Sequence, residues 1–66
     1  MKVNVNGEEI RIFERARVED AVRKYSLADY KKVIDGKKIV QDQYGNQAML
    51  TGELAGNEEL TIKTKK

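Results

Sequence analysis

Cysteine, histidine, proline and tryptophan are all absent from this chain of 66 residues. Without Cys or His there is no thiol nucleophile, no Ser-His-Asp triad, no thiol redox couple and none of the usual zinc ligand sets. A carboxylate-only metal site is still open to such a composition, but no spacing of Asp and Glu suggests one, and no cofactor is expected. The lack of disulfides fits a reducing compartment, so a cytoplasmic location is expected. No apolar run approaches the about 20 residues that a membrane-spanning helix needs, so no membrane partner is expected. Met1 is followed directly by strand-like alternation, which argues against a cleavable leader. A chain this short buries a small core and has little left to wall a deep pocket. The expectation is therefore a protein that is not an enzyme.

What is present suits an ordered globular domain. Charged residues make up 36% and hydrophobic residues 39%, and thirteen Lys and Arg against eleven Asp and Glu leave a net charge of +2. Lys2-Val3-Asn4-Val5-Asn6 alternates with period two, which predicts a half-buried strand with Val3 and Val5 inward. Asn6-Gly7 is the pair that best accepts positive φ at both centres of a type I′ turn. Glu9-Ile10-Arg11-Ile12 alternates again, so the chain opens with an antiparallel hairpin. From Ala16 the period changes: Val18, Ala21, Val22 and Tyr25 stand at i, i+3, i+4 and i+7, one stripe of a helix. Glu19 and Asp20 in its first turn and Arg23 and Lys24 in its last complement the helix dipole. Ser26 with Asp29 reads either as the cap of a short second helical turn or as a simple break.

Strand signals return after Tyr30. Val33-Ile34 and Ile39-Val40 flank Asp35-Gly36, which predicts a second hairpin. Asp42 to Asn46 predicts a reversal, with Ala48-Met49-Leu50 pairing back briefly. Gly52 and Gly56-Asn57 are breaks with Leu54 dipping between them, and Glu59-Leu60-Thr61-Ile62-Lys63 predicts the last strand. Residues 1–63 thus form a single domain, and 64–66 a short basic disordered tail. A helix after a first hairpin must cross one face of the sheet, which frees the last strand to lie parallel beside the first. The expected fold class is α+β: a ubiquitin-like β-grasp, with a mixed sheet of four to five strands and one main helix packed on one face.

Three stretches carry a family resemblance. Met1-Lys2-Val3-Asn4-Val5-Asn6-Gly7-Glu8-Glu9 resembles the opening of the ThiS/MoaD family of sulfur carriers. Ala16-Arg17-Val18-Glu19-Asp20-Ala21-Val22 resembles its helix start, and Leu54 to Ile62 its closing segment, with Asn57 where the family usually has Gly. The resemblance implies the β-grasp fold and, as partner, another protein such as an activating or biosynthetic enzyme. In that family the carrier works through a C-terminal Gly-Gly that is adenylated and converted to a thiocarboxylate. This chain reads Ile62-Lys63-Thr64-Lys65-Lys66 there, so no functional residue carries over. Arg17 also replaces the usual Thr, and the helix loses a side-chain N-cap worth about 1 kcal/mol.

The remaining constellations divide by geometry. Glu8-Glu9 and Glu58-Glu59 are adjacent on strands and point to opposite faces, so neither pair converges as an acid and base. Lys and Arg are interleaved with acids, so no sustained positive field and no nucleic acid partner is expected. Asp42 to Asn46 lacks the twelve-residue acidic loop of a calcium site and reads as a turn. Arg11, Phe13 and Arg15 form the candidate partner contact. Ile12 and Phe13 are consecutive, so on a regular strand one faces away from the core, and Phe13 would then anchor a partner on the open sheet face. The favoured alternative is that the strand ends or bulges there and Phe13 turns inward. The expected function is a small non-enzymatic β-grasp protein of the ThiS/MoaD type acting by protein–protein interaction. The alternatives are a sulfur carrier in thiamine or molybdopterin-type cofactor biosynthesis, and a small nucleic-acid-binding module.

Overall fold

The computed structural model describes residues 1–65. Strands β1 (Lys2–Val5) and β2 (Glu8–Arg11) form the opening hairpin, in the register Val5 to Glu8 and Val3 to Ile10. Asn6 and Gly7 take φ of 52° and 81°, the positive pair that the two-residue turn requires. Helix α1 (Val18–Tyr25) and helix α2 (Leu27–Ile34) follow, then β3 (Lys38–Gln41) and β4 (Glu59–Thr64). The mixed sheet has four strands in the order β2-β1-β4-β3. β4 runs parallel to β1, with Val5 beside Leu60, and antiparallel to β3. The last strand therefore sits centrally beside the first, as the alternation at Val3/Val5 and Leu60/Ile62 anticipates.

The core lies between the sheet and α1. Val3, Val5, Ile10, Val40, Leu60 and Ile62 come from the strands and meet Val18, Ala21 and Val22 of the helix stripe. Leu54 joins them from the long β3–β4 connection. Arg17 supplies no side-chain cap; only the reciprocal bond is made, its amide donating to the Asp20 carboxylate at 2.9 Å. Distant carbonyls take over the capping: the Val18 amide donates to Gly52 at 2.9 Å and the Glu19 amide to Leu50 at 3.0 Å. These bonds satisfy helix donors that would otherwise be orphaned, and they pin the β3–β4 connection to the helix.

Two expectations are corrected. Val33-Ile34 is not a strand and Asp35-Gly36 is not a hairpin: the fold has two helices, and no fifth strand forms among the described residues. Ser26 accepts the Asp29 amide through its hydroxyl at 3.2 Å, and the helix that begins there runs on to Ile34. It ends in a Schellman motif: the Lys37 amide donates to Lys32, the Gly36 amide to Val33, and Gly36 takes φ of 78°. An Asp-Gly pair serves a helix C-terminus as well as a hairpin, because both place the Gly at positive φ. The second correction concerns the tail. Thr64 is part of β4, opposite Lys38, and the Lys65 amide donates to Lys37 at 2.9 Å, so the ordered chain passes residue 63. Lys66, the rest of the expected tail, lies outside the described residues.

The reversal after β3 and the Gly56-Asn57 break form as read, while the pairing expected of Ala48-Met49-Leu50 reduces to a bridge at Gln47 and the Ala48 amide. Asp42 accepts the Tyr44 and Asn46 amides on one carboxylate oxygen, which closes the reversal after β3. Gln47 then makes a single bridge to Gln41, with the Ala48 amide donating to Val40. Asn57 takes φ of 63°, the left-handed conformation that Asn tolerates. No helix among the described residues is long and apolar enough to cross a membrane.

Candidate functional site

Arg11, Phe13 and Arg15 share one exposed segment but no hydrogen bond or ion pair links them among the described residues. β2 ends at Arg11, Ile12 turns into the core, and Phe13 is 62% exposed. The favoured inward placement of Phe13 is thus corrected: the strand does end, yet the ring stays in water. The reason lies in the turn that follows. The Ala16 amide donates to the Phe13 carbonyl and Arg15 takes φ of 65°, so the chain reverses immediately and delivers Ala16, fully buried, to the core instead. Arg11 borders a shallow depression of about 360 Å³ with Met1, Lys2 and Ile12. Neither Phe13 nor Arg15 lines it.

The open face of the sheet is polar except at Ile39, which lies beside Lys63. Lys2, Asn4, Glu9, Arg11, Glu59, Thr61 and Lys63 lie on it, opposite in phase to the buried residues of their strands. Lys2 and Arg11 each approach the Glu9 carboxylate, at 3.8 and 3.3 Å. These pairs are exposed and are worth at most about 1 kcal/mol. Glu58, a residue of one proposed acid pair, has a turn role: its carboxylate accepts the Ala55 and Gly56 amides, both at 2.6 Å. Among the described residues no three carboxylates gather to hold a metal ion.

An apolar groove lies elsewhere, at the β3 edge. It has a volume of about 330 Å³ and is walled by Val33 at the end of α2, Ile39 and Val40 of β3, and Ala48, Met49 and Leu50 of the connection. Met49 is 73% exposed beside it, and Ile34, on α2, is 56% exposed. Gln47 and Thr51 interrupt this lining, Lys38 and Lys65 stand at its rim, and among the described residues no acidic residue lines it. Lys38 is engaged, its ammonium 2.8 Å from Asp29. Lys31 and Lys32 in the last turn of α2 and Lys37, whose carbonyl holds the Lys65 amide, lie at this end too, interleaved with Asp29 and Asp35. No periodicity in the sequence announces this groove. Its one local signal is Ala48-Met49-Leu50, an apolar triplet within a turn-rich stretch, where periodicity gives no direction to the side chains.

The chain matches no family model, no characterised protein and no solved structure. Any functional reading therefore stands on the residues and surfaces described above.

Proposed function

We propose that this chain is a non-enzymatic β-grasp protein of the ThiS/MoaD type that acts by protein–protein contact, and that the groove at the β3 edge receives its partner. The central parallel pairing of β1 with β4 and the packing of α1 across one sheet face support the β-grasp reading. The observation that carries the contact reading is the groove itself: Val33, Ala48, exposed Met49 and Leu50 interrupted by Gln47 and Thr51, with lysines at the rim and, among the described residues, no acid in the lining. Met adapts its shape to varied apolar side chains. Lys38 is paired with Asp29, so selection of an opposite charge in what docks rests on Lys65 at the rim. The occupant that fits is a protein segment carrying an apolar side chain flanked by carboxylates. An activating or biosynthetic enzyme is the class of partner that the family resemblance implies.

Titration of the isotopically labelled chain with a synthetic peptide of leucine and glutamate tests this, alongside the same peptide with lysine replacing glutamate. The acidic peptide is expected to shift the amide resonances of Ile39, Ala48, Met49, Leu50 and Lys65, and the basic one to leave them in place. Binding of neither peptide, or shifts centred on another surface, overturns the reading.

A further inference from the structure

The two edges of the sheet are treated differently. β3 is covered where the connection folds back on it, with the Ala48 amide on the Val40 carbonyl and the Asp42 amide on the Asn46 carbonyl, both at 2.8 Å. β2 has no such cover. The two-residue turn makes Val5 and Glu8 a hydrogen-bonded pair, and the alternation continues through Val3/Ile10 to Met1 and Ile12, which exchange bonds of 2.8 Å in both directions. The backbone groups of Glu9 and Arg11 consequently point away from β1, to the outside of the sheet. Among the described residues their one partner is the flexible Lys24 ammonium, which donates to the Arg11 carbonyl.

We propose that β2 pairs antiparallel with β2 of a second copy of this chain, about a two-fold axis through Ile10. Only residues whose backbone groups face outward exchange bonds across such an edge, so Glu9 and Arg11 must meet the partner copy's Glu9 and Arg11. Three registers satisfy that condition. Placing Glu9 on Glu9 or Arg11 on Arg11 sets like charges opposite one another, which is destabilising. The register centred on Ile10 sets Glu9 on Arg11 twice, by symmetry, and makes both pairs complementary. The cross-strand neighbour of Arg11 on β1 is Lys2, a like charge, and Arg11 meets Glu9 of its own strand at 3.3 Å; the second copy adds a carboxylate directly opposite it. The union joins two four-stranded sheets into one. Lys24 swings off the Arg11 carbonyl as the strands meet; a lysine at an open edge is a usual restraint on such pairing. The interface is small, so the dimer is weak and forms at high concentration.

Sedimentation equilibrium from roughly 10 µM to roughly 1 mM, the range in which a weak interface becomes populated, tests the proposal. The native chain is expected to rise from monomer mass toward twice that mass. Glu9→Arg and Arg11→Glu are each expected to stay monomeric, because every cross-strand pair becomes a like-charge pair. Mixed in equal amounts, the two variants are expected to associate with each other, since one strand then carries two arginines and the other two glutamates. Both side chains are exposed, and thermal melts of the single variants check that each is folded. A native chain that stays monomeric throughout, single variants that associate as well as it does, or a mixture that stays monomeric each overturns the proposal.

Discussion

α1 and α2 are each eight residues long and are separated by Ser26 alone, yet they are held by different forces. α1 buries Val18, Ala21 and Val22. α2 fully buries nothing and leaves Leu27 54% and Ile34 56% exposed. Isolated helices of this length do not form in water, so each needs outside support. For α1 the support is the core, together with the Leu50 and Gly52 carbonyls. For α2 it is its ends, the Ser26 hydroxyl at the start and the Schellman motif at the finish, with Asp29 tied to Lys38 and with Tyr30 and Val33 packed half-buried against the margin of the core. Arg23 of α1 lies over the Tyr30 ring at 5.3 Å and joins the two helices. A helix buried in the core and one packed only at its margin respond to different substitutions, and three changes separate them.

Val22→Asp is expected to have the largest effect. Val22 is fully buried in the stripe that faces the sheet, and an unpaired carboxylate placed there costs several kcal/mol, comparable with the whole stability of so small a domain. Loss of the cooperative thermal transition and of dispersed amide resonances is the outcome to observe. A melt close to that of the native chain would show that α1 is not packed as described.

Gly36→Ala comes next. Space is not the obstacle, since nothing lies within 4 Å of an added Cβ; the obstacle is φ of 78°. A side chain in the left-handed region costs about 1–2 kcal/mol. Chemical denaturation is expected to show that loss, and hydrogen exchange to speed most at the amides of α2, while those of α1 speed only as far as global stability falls. A uniform change across both helices would mean that they unfold as one unit and that the contrast drawn above is false.

Ile34→Lys is expected to have the smallest effect, within about 0.5 kcal/mol, as for an exposed site without special contacts. The denaturation midpoint measures it. A loss above about 2 kcal/mol would place the Ile34 side chain among the core residues.

The outcome for each segment follows from the range of the forces acting on it. The first hairpin was legible because Asn6-Gly7 answers a local steric demand and the flanking alternation agrees with it. The α1 stripe was legible for the same reason, since period, charge order and length all pointed one way. Val33-Ile34 misled because two apolar β-branched residues before Asp-Gly satisfy a strand and a helix end equally. The spacing of Leu27, Tyr30 and Ile34 was the local clue to the helix, and neither Leu27 nor Ile34 is buried, so no clean apolar stripe announced it. Of the candidate contact, Arg11 and Phe13 proved exposed, but which of Ile12 and Phe13 entered the core turned on the reversal at Arg15. The β3-edge groove was not legible at all, because its walls come from α2, β3 and the connection.

By itself the amino-acid sequence determined the excluded chemistries, the first turn, the inward residues of β1, β2 and β4, and the face of α1 that packs. Each of these depends on residue type and on neighbours a few positions away, where covalent geometry limits the choices. Tertiary structure alone decided that Leu50 and Gly52 cap α1, that the β3 edge is covered while the β2 edge is open, and where apolar surface is left facing water. Those outcomes depend on groups far apart in the chain, and only the folded backbone sets the distances between them.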